Sequence, residues 1–173
     1  QSGLAQRAEV RFQDYRDVEG QFDRIVSVEM IEAVGEEHWA RFFGQVNERL
    51  VPGGHAVIQA ITIREESFEV YRRHPDFIQR YIFPGGMLPT VSILEEQAEK
   101  HGLEFESVRR FGQSYARTLC DWRHRFLEAW PEIEALGFDE RFRRMWLYYL
   151  TYCEVGFETG LIDVGVYRFT RRD

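Results

Sequence analysis

Two rhythms of apolar and polar residues run through the chain and change places several times. Residues 8–13 (AEVRFQ) alternate, with Val10 and Phe12 against Arg11 and Gln13, and predict a strand. Residues 23–27 are short, apolar and β-branched at Ile25 and Val26. They predict a strand buried on both faces of a parallel sheet. Residues 36–50 place Trp39, Phe42, Phe43, Val46 and Leu50 at helical spacing. Val51-Pro52-Gly53-Gly54 stops that helix. Residues 55–63 (HAVIQAITI) predict another buried strand, with Gln59 as its one strongly polar member. Alternation of this kind implies an α/β layer with a parallel sheet and helices over its faces.

Residues 64–90 break the rhythm. Pro75, Pro84, Gly85, Gly86 and Pro89 are mixed with Phe68, Tyr71, Phe77, Tyr81, Ile82 and Phe83. A long irregular insertion rich in aromatics reads as a lid or pocket wall, because disordered segments lack aromatics. Residues 91–101 predict an amphipathic helix closed by Gly102, and 103–111 a strand. A turn over 112–115 puts Tyr115 near the head of a helix over 118–129, which Trp130-Pro131 ends. Asp139 opens another helix, with a wide stripe of Phe142, Met145, Trp146, Tyr149, Leu150 and Cys153. Such a stripe is core, or the wall of a fatty-chain pocket. Residues 164–170 (VGVYRFT) alternate and predict a last strand at an edge of the sheet. Residues 1–7 read as the tail of a helix, with Gly3 as its cap.

A chain of 173 residues is most simply one domain. It starts without Met and within an element, which suggests a piece of a longer protein. The net charge of -7 argues against a general nucleic-acid binder, since a phosphate backbone would be repelled. Aromatics at 15% imply a large core or a pocket for a long apolar ligand. Cys120 and Cys153 lie far apart, form no metal cluster and fit reduced, buried thiols in a cytosolic protein. No apolar run is long enough to span a membrane, which leaves peripheral lipid contact open.

The organising stretch is FDRIVSVEMIEAVG, residues 22–35. Ser27, Glu29 and Glu32 stand where its strand should end, and ligands of open α/β sheets sit at the carboxyl ends of strands. Glu32 is therefore a candidate active-site acid. The alternative is that Glu29 and Glu32 merely charge the first turn of a helix. Gln59 either caps a neighbouring backbone group or points into the same site. Asp14-Tyr15 can hydrogen-bond and stack on a purine, or simply initiate a turn. The chain has no GxSxG elbow, P-loop or zinc spacing, and no glycine-rich strand-to-helix turn. A nucleotide-type ligand needs close backbone approach through glycine, so the chain either binds none or lacks the half that binds.

Several stretches carry a resemblance over the whole chain: QDYRDV (13–18), residues 22–35, LVPGG (50–54), YIFPGGMLPT (81–90), RFLEAWPEI (125–133) and FRRMWLYYLTYCEVGF (142–157). Together they resemble the cyclopropane-fatty-acyl-phospholipid synthase family, which includes the mycolic acid cyclopropane synthases. The LVPGG turn alone is shared widely among S-adenosylmethionine methyltransferases.

The resemblance implies a class I, Rossmann-like methyltransferase sheet, here partial, with a helical aromatic-rich insertion. It implies an enzyme whose cofactors are S-adenosylmethionine and bicarbonate. The methyl of S-adenosylmethionine is attacked by a cis double bond of a phospholipid acyl chain. Bicarbonate then removes a proton and a cyclopropane closes. The intermediate cation needs shelter from water and is stabilised by aromatic faces. Position by position, Glu32 matches the acid that orients bicarbonate, Tyr115 the tyrosine that contacts it, and Ile61 the residue whose amide does so. Gln59 falls where many relatives carry His, and an amide donates a hydrogen bond without shuttling a proton. Asp14 and Tyr15 match the adenine-contacting pair. Ser27 and Glu29 lie beside the methyl-donor pocket.

The family's N-terminal lipid-facing region, glycine-rich first motif, acidic ribose contact and bicarbonate-site cysteine have no counterpart in these residues, and Cys120 and Cys153 do not replace that cysteine. The chain alone is therefore expected to bind S-adenosylmethionine poorly and to be inactive. The rival readings are a lipid C-methyltransferase giving a methyl-branched product, or an incomplete lipid-binding or dimerisation remnant. The resemblance further implies a cytoplasmic protein, compatible with a homodimer, that touches phospholipid at the inner membrane face peripherally. Arg64, Arg72, Arg73 and Arg80 form a candidate headgroup patch, or are solvated arginines on a helix face.

Overall fold

The computed structural model describes residues 7–173, so the cap expected at Gly3 lies outside the described residues. Four strands, β1 (Phe22–Val28), β2 (Leu50–Ile63), β3 (Leu103–Arg110) and β4 (Ile162–Arg171), form one sheet of order β1-β2-β4-β3. β1 runs parallel to β2, while β4 is antiparallel to both β2 and β3. The sheet is therefore mixed, and the parallel layer expected from the first half of the chain is confined to one strand pair.

The helices cover both faces. On one, α2 (Trp39–Arg49) and α5 (Val91–Lys100) join the inward residues Ala56, Ile58 and Ala60 of β2 and Tyr167 and Phe169 of β4 in the larger core. On the other, α6 (Gly112–Glu128) and α8 (Glu140–Glu158) pack Ala116, Leu119, Leu150 and Phe157 against Val164. The period-two placement of side chains on β2 thus feeds two cores. Short helices α1 (Ile31–Val34), α3 (Glu65–Arg73), α4 (Phe77–Tyr81) and α7 (Trp130–Ala135) complete the fold.

Several expectations are corrected. Residues 8–14 form no strand; Val10 and Phe12 are fully exposed, and among the described residues nothing pairs with them. Alternation without a partner strand leaves backbone groups to water. β1 is not buried on both faces. Ile25 packs on the larger core, but Val26 and Val28 are 69% and 58% exposed, because α6 and α8 lie over β2 and β4 instead. β4 is central rather than an edge, and it buries Val164 on one face and Tyr167 and Phe169 on the other. α6 starts at Gly112, six residues before the expected start, because the Asp163 carboxylate accepts from the Gly112 N–H at 3.0 Å. That tertiary cap is invisible to local spacing.

The insertion is more regular than its prolines suggest. Glu65 and Glu66 open α3 and Arg72 and Arg73 close it, as the helix dipole favours. A capping box between Asp76 and Gln79 nucleates α4. The Tyr152 hydroxyl donates to Asp76 Oδ2 at 2.8 Å and ties α4 to α8. The four arginines are engaged locally: Arg72 with Glu36, Arg73 with Glu69, Arg64 with Glu66 and the Thr159 carbonyl, Arg80 with the Pro75 carbonyl. Arg64, Arg72 and Arg73 are thus in salt bridges, and Arg80 holds only a backbone carbonyl. Cys120 and Cys153 are free thiols, each half-buried rather than fully buried.

Arg123 on α6 grips Glu154 on α8 through two bonds of 2.9 and 3.2 Å, with the Glu154 side chain only 10% exposed. Removing Arg123 leaves a largely buried carboxylate without its cation. Arg123→Ala is expected to cost about 2–3 kcal/mol in urea unfolding, below the full cost of a wholly buried pair.

Candidate functional site

The site forms where β1 ends beside β2. In register, Val28 stands opposite Gln59, and the Glu29 N–H donates to the Gln59 carbonyl at 2.9 Å as the last ladder bond. The chain then turns away. The next β2 donor on that side, the Ile61 N–H, would be orphaned, and the Glu32 carboxylate fills the gap at 2.6 Å. Glu32 Oε2 is buried and has no hydrogen-bond partner among the described residues. Burial pushes the carboxyl up to about 7, opposed by the Ile61 N–H and assisted by the charge of Glu29.

The turn that presents Glu32 is held from three sides. Ile31 is fully buried, and its carbonyl accepts from the Trp39 indole at 3.2 Å. Gly35 adopts φ 84, a conformation that ends α1 without a side-chain penalty. The insertion closes on the Glu32 backbone, where the Met87 N–H donates to the Glu32 carbonyl at 2.9 Å. Gly86 allows that approach, since a Cβ there would stand 3.1 Å from the Phe83 carbonyl.

Beside Glu32 lies a second group. Gln59 Nε2 donates to Glu29 Oε1 and to the Tyr115 hydroxyl oxygen, both at 2.8 Å. The Tyr115 hydroxyl donates to the same Glu29 oxygen. Burial first, then Glu29, pushes the Tyr115 hydroxyl up to about 12, so it holds its proton at neutral pH. Gln59 sits on the β2 face that meets α6, as does Ile61, which is why residues 56 and 86 positions from their partners converge. Glu29 is the one non-glycine residue at positive φ among the described residues, at 49°. That conformation costs roughly 1 kcal/mol for a residue with a Cβ.

The predicted residues thus divide. Glu29, Glu32, Gln59, Ile61 and Tyr115 come together. Ser27 lies two residues upstream on β1, its Oγ buried and unpartnered. Asp14 and Tyr15 stand apart. Asp14 caps a single turn, accepts from the Arg16 N–H at 2.9 Å and is held down to about 2 by the Arg16 guanidinium. The Tyr15 ring packs 5.9 Å from Phe42, and Gln45 binds its carbonyl. Tyr149 was legible only as part of an aromatic stripe. Its ring faces Phe83 at 6.3 Å, and burial pushes its hydroxyl up to about 12, with Cys153 and Glu29 adding to the effect. Two shallow depressions of about 280 and 450 Å³ lie elsewhere, around Arg110, Gly160 and Asp163, and include none of the five convergent residues. No cluster of three metal-ligating side chains occurs among the described residues.

A buried acid, a fixed tyrosine and an amide stand together at the carboxyl end of a strand, where open α/β sheets hold their ligands, and groups of these kinds are able to hold or move a proton. Solved structures place the fold among S-adenosylmethionine-dependent methyltransferases. The mycolic acid cyclopropane synthase CmaA1, complexed with SAH and CTAB, matches with a TM-score of 0.82 and 28% identity over 91% of this chain and 58% of that one. The cyclopropane synthase MmaA2 from Mycobacterium tuberculosis matches with a TM-score of 0.81 and 30% identity, with the same coverage. The model of the mycolic acid cyclopropane synthetase family matches residues 1–167, and the chain belongs to that family. It is 44% identical to the tuberculostearic acid methyltransferase UfaA1 of Mycobacterium tuberculosis, over 94% of this chain and 38% of the relative. It is 40% identical to the cyclopropane-fatty-acyl-phospholipid synthase of Escherichia coli, over 94% and 41%. The chain spans about two-fifths of the length of these curated relatives. No helix of the described residues is long and apolar enough to cross a membrane.

Proposed function

We propose that this chain carries the acid–base part of a site that transfers a one-carbon unit from S-adenosylmethionine to a cis double bond of a phospholipid acyl chain, closing a cyclopropane. The observation that carries the reading is the Glu32 carboxyl, with one oxygen fixed by the Ile61 N–H and the other buried and unpartnered. S-adenosylmethionine supplies an electrophilic methyl when bound. The unpartnered Ser27 Oγ, on β1 two residues before Glu29, suits a polar group of such a ligand. Bicarbonate, as a small base, fits the same logic. A carboxyl raised to about 7 is protonated in part at neutral pH, so Glu32 Oε2 can donate to an anion instead of repelling it. Around this point, Tyr115 packs edge-on to Phe111 and 5.4 Å from Phe157, and such faces favour positive charge. Tyr81, Phe83 and Tyr148 are exposed beside the insertion and suit peripheral contact with lipid.

A second reading rests on Gln59. Its amide, committed to Glu29 and Tyr115, takes up no proton from the added carbon; loss of a proton from the neighbouring chain carbon instead leaves the added carbon as a methyl branch on an alkene. The experiment is an acyl-chain analysis. Vesicles of cis-unsaturated phospholipid are incubated with S-adenosylmethionine and bicarbonate, with the protein in its longest natural form. Gain of one carbon as a ring is the expected result. A methyl-branched acid replaces the ring-closing step, and no product overturns the reading.

A further inference from the structure

Glu29 is a residue that the backbone alone would rather not have. Its φ of 49° is a conformation that glycine adopts freely. What the position gains from a glutamate is the carboxylate, on which two donors from different elements converge. Gln59 spends both amide hydrogens, one on Glu29 and one on Tyr115. Tyr115 spends its only hydrogen on Glu29 and accepts one bond from Gln59, so its oxygen keeps one lone pair. The result is a directed chain: an acceptor at Tyr115 Oη, a proton already turned toward Glu29 Oε1, and a carboxylate that is exposed to water.

Resting on the reaction read above, we propose that Glu29 is the outlet by which the proton lost at ring closure leaves the site through Tyr115. The C–H bond breaks and its electron pair forms the closing C–C bond. The released proton reaches Tyr115 Oη as the hydroxyl passes its own proton to Glu29 Oε1. Glu29 becomes a neutral acid and returns the proton to solvent. Gln59, which does not titrate, keeps the two oxygens in register. Glu29 therefore acts through Tyr115, as a positioning and proton-accepting residue.

The test uses the protein in its longest natural form, with vesicles of cis-unsaturated phospholipid. Glu29→Gly keeps the turn, so the melting temperature is expected to match or exceed the parent's. Turnover at saturating lipid should fall about 10²-fold with KM unchanged, and acetate should restore part of it in the space the side chain vacates. Glu29→Gln should fall equally and ignore acetate, because the amide fills that space. Independently of activity, the Tyr115 resonance in ¹³C-tyrosine NMR (assigned with Tyr115→Phe) should titrate lower in Glu29→Gly than in the parent. Parent-like turnover in both variants overturns the proposal. So does a loss that acetate leaves unchanged, or one matched by a fall in melting temperature, since either makes the role structural. No product from the parent overturns the reaction and this inference together, which separates the two failures.

Discussion

Glu32→Gln is expected to fold, to withstand urea better than the parent above pH 7, and to turn over about 10³-fold more slowly. The two effects share one cause. Burial raises the Glu32 carboxyl from the ordinary 4.5 to about 7. Between those values the folded chain holds a proton that the unfolded chain has released. The contribution of Glu32 to stability is then greatest below pH 4.5, falls as the pH rises through the interval, and is level above about 7. The full shift corresponds to about 3 kcal/mol, and the partial exposure of Glu32 reduces this to about 2. An amide keeps the bond from the Ile61 N–H and carries no such charge, so the variant should lose the slope. Urea titrations of parent and variant at pH 5 and pH 8 measure it: the two should differ little at pH 5 and separate at pH 8. Equal slopes would mean that Glu32 titrates as a solvated acid. The kinetic half follows because an amide cannot alternate between donating to an anion and carrying negative charge beside a developing cation. A variant both slower and no more stable would place the lost rate in a damaged fold.

How this arrangement reads from sequence depends on which forces are local. The helix over 36–50 was legible because Trp39, Phe42, Phe43 and Val46 recur at helical spacing and all are buried; only its first turn tightens into a 3-10 segment, and Leu50 already belongs to β2. The place of Glu32 was legible too, since polar residues crowd where a β-branched run stops. What could not be read was pairing. Residues 8–13 alternate as well as residues 164–170 do, yet among the described residues the first has no neighbouring strand, and the second is central between two strands. Alternation reports a pleat, and the order of strands is set by contacts far apart in the chain. The early start of α6 depends on Asp163, 51 residues away from Gly112. The role of Glu29 needed the same long reach: its φ and its partners Gln59 and Tyr115 emerge only when the end of β1, the middle of β2 and the head of α6 meet.

Phe43→Ala should remove about 4 kcal/mol, a large share of the roughly 5–15 kcal/mol by which a domain is stable. Phe43 is fully buried on α2 and meets two rings edge-on, Phe42 at 5.3 Å and Phe169 of β4 at 6.0 Å. The deletion takes away the transfer energy of a phenyl ring, the two aromatic contacts, and the packing of a cavity that rigid strands cannot collapse into. The loss is propagated because β4 and β2 are neighbours. Phe169 pairs in register with Ala56, three residues before Gln59, and the same β2 segment carries the Ile61 N–H that holds Glu32. A loosened α2 therefore loosens the backbone that aims the site, and activity should fall at temperatures where the chain is still largely folded. Phe83→Ala is the contrast. That ring is 57% exposed, so its removal should change unfolding by less than about 1 kcal/mol. Urea unfolding followed by near-ultraviolet circular dichroism compares the two. A Phe43→Ala midpoint close to that of Phe83→Ala would mean that α2 does not brace the sheet, and that the position of Glu32 is fixed by the insertion closing on it through Met87 instead.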